Sequence, residues 1–175
     1  MIEQYNLCFY NFNTGKDRII IVDSIKYSRL GAIHPEMEVA NYLHNKNYRV
    51  SITTGIGGRF GIKYGDFTEK EILDTLHIKN SSEVFCQGLP DLIIEYKNSL
   101  HFLEVKNGNE YLIQKNWIEK NKCRFNISVC RIWFETIKTV EEELQLKDYN
   151  ETQAMHMAKD ILNKEIVESV LKTKE

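Results

Sequence analysis

Three ionisable side chains stand at the ends of two oily runs. Asp91 opens DLIIEY, and Glu104 and Lys106 close SLHFLEVK. Two carboxylates and an ammonium suit the hydrolysis of a phosphodiester, which needs a cation to neutralise developing charge and a water made nucleophilic near neutral pH. Magnesium takes oxygen ligands, usually one or two carboxylates with waters and substrate phosphate. A lysine beside it can orient or deprotonate the water, or stabilise charge in the transition state.

A hairpin delivers this set. With a two-residue loop at Lys97–Asn98, Asp91 falls opposite Glu104; a loop shifted by one residue puts it opposite Lys106. Glu104 and Lys106 are two apart and share a strand face, with the Val105 carbonyl between them as a further metal ligand. Leu92, Ile93, Ile94, Leu103 and Val105 make both faces of the two strands apolar, as in central strands. Charges at the ends of such strands are costly without a purpose. Glu-x-Lys alone is usually a solvated surface pair. Gly-Leu-Pro-Asp at hairpin distance moves the balance towards a site.

The remaining elements must position that hairpin. Residues 4–25 read as two β-rich runs around Asn-Thr-Gly-Lys-Asp, a second hairpin. Pro35 suits the first turn of a helix over 35–46, and YRVSITT at 48–54 reads as a strand. Residues 55–65, GIGGRFGIKYG, hold five of the nine glycines and form a flexible loop or a loose hairpin. Asp66 is placed to cap a short helix ending near His77. The spacing of Leu112, Ile113, Trp117 and Ile118 predicts a helix over 108–122. Residues 125–137 are β-branched and aromatic, hence a strand. From 151 to 172, Ala154, Met157, Ala158, Ile161, Ile166 and Val170 outline an amphipathic helix. The central order is helix, strand, strand, strand, helix, strand, within an α/β fold.

GLPDLII and FLEVK resemble the signature of the PD-(D/E)XK nuclease superfamily. Its restriction-endonuclease-like core (αβββαβ, a central mixed sheet flanked by helices) is similar to the order just read. LIQKNWIEKN resembles the Gln-x-x-Trp helix of virus-type replication–repair nucleases, with Gln114 and Trp117 at the matching places. HPEMEVANYLHNKNYRV is similar to the opening helix of archaeal Holliday-junction resolvases. The resemblance covers residues 33–135. It implies a magnesium- or manganese-dependent deoxyribonuclease of replication, recombination or repair, leaving 5′-phosphate and 3′-hydroxyl ends. Asp91, Glu104 and the Val105 carbonyl would hold the metal, and Lys106 would position or activate the nucleophile. Gln114 would bond the attacking water or a metal-bound group. The partner would be DNA, whether single-stranded, duplex or branched, and a homodimer follows by analogy with resolvases.

The family's first helix supplies a glutamate that completes the metal site. Glu36 lies on the stripe of Val39, Ala40 and Leu43, whereas Glu38 shares a wetter side with Asn41, Tyr42 and Asn45. Glu36 is the residue chosen. The chain departs from the compact resolvase pattern in the more than thirty residues between its first core strand and Pro-Asp. The N-terminal hairpin (1–30) and the acidic helical tail (141–175) are additions to the core within one expected domain. The rival reading is a module that keeps the fold and binds nucleic acid without cutting it.

Other residues carry weaker signals. Arg59 and Lys63 could grip phosphates from the glycine loop. Trp117 and Trp133 suit a core better than a base-stacking role, the five histidines show no ligand spacing, and Glu141–Glu143 reads as a solvated charge run. Cys8, Cys86, Cys123 and Cys130 form no C-x-x-C pair and are expected as reduced, mostly buried thiols. The net charge of −2 argues against a strongly basic nucleic-acid coat protein. Nine acids and five bases from Glu141 to Glu175 leave the tail at −4 and residues 1–140 at +2. With no basic n-region and no apolar run approaching about 18–20 residues, a cytoplasmic protein without a membrane segment is expected.

Overall fold

The computed structural model describes residues 2–24, 34–137 and 161–172, and its elements follow the apolar pattern of the chain. Strands β1 (Ile2–Asn11) and β2 (Asp17–Ser24) form the expected hairpin. Asn11 Oδ1 closes the turn by accepting the N–H groups of Asn13 and Thr14 at 2.8 and 3.1 Å. Helix α1 (Pro35–Asn45) carries Pro35 in its first turn, where no backbone donor is needed. Strands β3 (Arg49–Thr54) and β4 (Gly61–Gly65) pair antiparallel, so the glycine-rich stretch is a hairpin.

Helix α2 (Glu69–Leu76) starts later than the sequence predicts. Its cap is Thr68 rather than Asp66: Thr68 Oγ1 accepts the Glu71 N–H at 3.2 Å, and Glu71 Oε2 accepts the Thr68 N–H at 2.8 Å. This reciprocal box satisfies two donors that an isolated Asp could not. Asp66 is engaged elsewhere, accepting the Val50 N–H at 3.0 Å.

Strands β5 (Leu92–Tyr96) and β6 (Ser99–Asn107) follow, then helix α3 (Lys115–Asn121) and strand β7 (Asn126–Ile137). Helix α3 is shorter than the helix expected over 108–122. Gly108 sits at φ +55°, and Arg131 Nη1 donates to the carbonyls of Gly108 and Glu110 at 3.1 and 2.7 Å. The chain is thereby held in a turn up to Glu110. Ile113, expected on the helix's apolar stripe, is 77% exposed.

The seven described strands form one sheet in the order β2-β1-β7-β6-β5-β3-β4. Only β6 and β7 run parallel, across the connection that contains α3. A parallel pair requires such a crossover. The N-terminal hairpin, expected as an addition outside the core, continues this sheet through a ladder from Ile2↔Ile137 to Asn11↔Ser128.

Each face of the sheet is covered. On one side α1 and the helical residues 161–171 (α4) pack over Leu7, Phe9, Val50, Leu92, Ile94, Leu103 and Ile132. On the other, α2 and α3 pack over Ile93, Phe102 and Ile127. In α4 the buried residues are Asn163, Val167, Val170 and Leu171, while Ile161, expected on the apolar side, is 60% exposed. Ala154, Met157 and Ala158 lie outside the described residues. The four cysteines form no disulfide, as expected, but only Cys130 is buried and Cys123 is exposed. Among the described residues no helix is long and apolar enough to cross a membrane.

Candidate active site

Asp91 is delivered by a constrained approach. Gly88 sits at φ +87°, and a Cβ there would lie 2.8 Å from Trp117 Cβ, so glycine serves both the turn and the close passage of α3. Pro90 is buried, and its carbonyl accepts Thr53 Oγ1 at 2.6 Å. The Asp91 carbonyl accepts the Thr53 N–H at 2.9 Å and its hydroxyl at 3.1 Å. Thr53 thus clamps the residue before β5 begins. The sequence reading overlooked Thr53; a hydroxyl at the end of an otherwise regular strand was the available signal.

The loop between β5 and β6 is the two-residue Lys97–Asn98, with φ of 48° and 63°, the left-handed pair that suits a tight hairpin. Register runs from Tyr96↔Ser99 to Leu92↔Leu103, so Asp91, one residue beyond, falls level with Glu104. Asp91 Oδ2 accepts the Val105 N–H at 2.9 Å. In an antiparallel strand the N–H and C=O of one residue face the same neighbour. The Val105 carbonyl therefore turns to the side on which Asp91 lies.

Glu104 and Lys106 occupy the β6 face that carries Leu100 and Phe102 and packs on α3. Glu104 is fully buried and Lys106 nearly so. Lys106 Nζ lies 3.0 Å from Glu104 Oε1, yet neither Glu104 oxygen has an aligned hydrogen-bond donor. Burial, then the charge of Asp91, pushes the Glu104 carboxyl up to about 8, against the opposing pull of Lys106. The Asp91 carboxyl is also raised by burial, with Glu36 adding to the rise; the Val105 N–H, the neighbouring Glu104 carboxyl and Lys106 oppose it. Two carboxyls that resist ionisation side by side would be favoured as anions by a cation placed between them.

The donor set fits a hard divalent cation. Asp91, Glu104 and the Val105 carbonyl all present oxygen, and the Glu104 oxygens have only the Lys106 ammonium beside them, with no aligned hydrogen bond. Among the described residues no group of three His, Cys, Asp or Glu side chains is arranged to hold a metal. Glu36 approaches closely enough to act on Asp91 electrostatically without joining such a group. Glu38, placed by helical spacing on a wetter side, is buried along with Tyr42.

Glu36 and Asp91 line one cleft of about 410 Å³. One wall is the start of α1, with His34 and Met37; the other is the β3–β4 hairpin, with Gly55, Ile56, Lys63 and Tyr64. Of the two cations proposed for the glycine loop, Lys63 lines the cleft and Arg59 does not. Gln114 is the residue preceding α3, and its side-chain oxygen is buried without a hydrogen-bond donor. Trp117 is buried against Phe102 and Phe125, in the core role expected. Comparison of the chain with protein-family models, curated proteins and solved structures finds no match.

Proposed function

We propose that the protein is a divalent-metal-dependent nuclease that hydrolyses DNA phosphodiester bonds, with a PD-(D/E)XK-type site on a restriction-endonuclease-like core. One observation carries the reading: Asp91 and Glu104 stand level on neighbouring strands, with Lys106 3.0 Å from Glu104 and no aligned donor for the Glu104 oxygens. With β4 and α2 set aside as an insertion between β3 and β5, the order α1, β3, β5, β6, α3, β7 supports the αβββαβ resemblance.

Asp91, Glu104 and the Val105 carbonyl would hold magnesium or manganese, which supplies Lewis-acid stabilisation of a phosphate and a more acidic water. Lys106 presents an ammonium at the same strand end, where it orients the attacking water or offsets charge growing on the phosphate. Glu36 adds negative charge at the mouth of the site. Thr53 and the Val105 N–H fix Asp91 before substrate arrives, which lowers the cost of ordering the reacting groups.

The absence of a third clustered acidic ligand among the described residues favours a second reading, a module that binds DNA without cutting it. Cleavage of single-stranded, duplex, nicked, flap and four-way-junction DNA, and of RNA, by wild type and Asp91→Ala decides between them. Cutting by wild type alone, with magnesium or manganese and not in EDTA, is expected. Equal metal-dependent cutting by Asp91→Ala sinks the site. Silence from folded protein that binds DNA without metal selects the binding module.

A further inference from the structure

We infer that the cleft between α1 and the β3–β4 hairpin is a subsite for one unpaired nucleotide of a DNA strand, its base against Tyr64 and its phosphate at Lys63. The inference rests on Asp91 and Glu104 forming the hydrolytic centre, because Asp91 lines the same cleft.

The first argument is the geometry of β4. Adjacent residues of a regular strand point to opposite faces, yet Lys63 and Tyr64 both line the cleft. The ladder explains this. Ile52 pairs with Tyr64 and Thr53 with Ile62, so Lys63 is an extra residue in a bulge on β4. Bulges re-aim side chains and recur beside active sites. This one lies at Ile52–Thr53, next to the residue that clamps Asp91.

The second argument is chemical. Tyr64 is 44% exposed and Ile56 79% exposed, so the hairpin wall offers an aromatic face and an aliphatic edge. Lys63 Nζ lies 5.7 Å from the centre of the Tyr64 ring, which sets a cation beside that face. The Tyr64 hydroxyl meets Met37 Sδ on the opposite wall. A ring for a base, an ammonium for a phosphate and an acid for the adjacent cation are the parts that track a single strand.

The third argument is size. About 410 Å³ lies within the ~300–1,000 Å³ range of small-ligand pockets. That suits one nucleotide, whereas a duplex is far wider. A base inside a duplex is stacked on both faces, whereas an unpaired one can turn a face to Tyr64 without the cost of unstacking. Single-stranded, flap or frayed DNA would therefore be bound in preference to a blunt duplex.

The test is fluorescence anisotropy with labelled oligothymidylate and a blunt hairpin duplex in magnesium, beside cleavage of the same probes. Wild type, Tyr64→Ala, Tyr64→Phe and Lys63→Gln are compared, with circular dichroism melts to show each is folded. Oligothymidylate should bind at least about tenfold more tightly than duplex. Tyr64→Ala should lose about tenfold of that affinity, and Tyr64→Phe should keep it. Preference for duplex, no binding of either probe, or single-strand affinity unchanged in Tyr64→Ala or in Lys63→Gln overturns the subsite. Failure of the hydrolytic reading looks different: Tyr64-dependent binding persists, but nothing is cut. Cutting with affinity and KM indifferent to Tyr64→Ala removes the subsite and leaves the nuclease.

Discussion

Asp91 Oδ2 accepts the backbone N–H of Val105 at 2.9 Å, so a side chain takes the position that a strand partner would fill if β5 extended beyond Leu92. The carboxylate is thereby fixed by backbone, beside a second buried carboxyl whose charge it opposes. Such an arrangement is poor for stability and good for gathering negative charge at one point.

Replacing Asp91 should separate these two effects. In Asp91→Asn the amide oxygen can still accept the Val105 N–H, while above pH 8, where Glu104 is ionised, the repulsion with Glu104 disappears. Stability there should rise by about 1 kcal/mol, or ~2–4 °C in Tm. Asp91→Ala leaves the Val105 N–H without its acceptor and should cost about 1–3 kcal/mol. Both should lose on the order of a thousandfold or more in cutting. Differential scanning calorimetry and cleavage rates check the pair; melting shifts of the same sign would contradict the geometry.

The pH dependence of stability follows from Glu104 and His101. Burial and the Asp91 charge raise the Glu104 carboxyl from 4.5 to about 8. Between those values the folded protein keeps a proton that the unfolded chain has released, so rising pH removes stability. The raised Asp91 carboxyl acts in the same sense. Burial lowers His101 from 6.5 to about 4, and there falling pH removes stability, because only the unfolded chain takes up the proton. The two effects oppose each other below pH 6.5; from 6.5 to 8 the Glu104 carboxyl acts alone. In EDTA, Tm should fall across that window, and Glu104→Gln should flatten the slope. Added magnesium should raise Tm more at pH 8 than at 6.5. A wild-type Tm that climbs from 6.5 to 8 in EDTA is the adverse result.

The β5–β6 hairpin was legible because its two apolar runs and Lys97–Asn98 leave little freedom of register; alternation alone puts Glu104 and Lys106 on one face. The start of α1 was equally plain from Pro35. The β3–β4 bulge was not legible, since an inserted residue leaves no mark in a glycine-rich stretch, and with it went the pairing of Lys63 and Tyr64 in the cleft. Helix α3 is shorter than periodicity predicts because spacing does not register the grip of Arg131, on β7, on the carbonyls of Gly108 and Glu110. The burial of Glu38 escapes the spacing for a related reason. Helical spacing finds the apolar stripe, but α1 packs with a wider face that includes Tyr42.

Gly88 couples the core to the site. Alanine there would meet Trp117 Cβ at 2.8 Å and hold a left-handed backbone that costs about 1–2 kcal/mol. Neither backbone nor α3 can yield without shifting the approach to Asp91. Gly88→Ala should therefore destabilise by about 2–3 kcal/mol, lowering Tm by ~5–10 °C. Among folded molecules its cutting rate should drop as well. A thermal melt within a degree of wild type would mean that this passage is not tight.

Lys106→Met keeps the length of the side chain and removes its charge. If Lys106 serves the water or the phosphate and does not hold the cation, cutting should fall at least about a hundredfold. Divalent-cation affinity should stay level or rise, since a positive neighbour 3.0 Å from Glu104 is gone. Isothermal titration with manganese measures this, and a large loss of manganese affinity would refute the division of roles.

Glu36 and Glu38 offer the sharpest contrast on one helix. Glu36 lines the cleft with Asp91 and is only half-buried. Glu36→Gln should therefore leave Tm nearly unchanged, within roughly 0.5 kcal/mol, as for a side chain outside the core. Its effect should fall on cutting, by about tenfold or more, and most at limiting metal, because the charge that acts on Asp91 is removed. Glu38 is 7% exposed beside the core. Glu38→Ala should cost about 1–3 kcal/mol of stability, with the rate per folded molecule preserved. Melts and metal titrations of cleavage, run on both variants, distinguish the two positions. The opposite pattern, an active Glu36→Gln and a stable but inactive Glu38→Ala, would move the helix carboxylate of the site from Glu36 to Glu38.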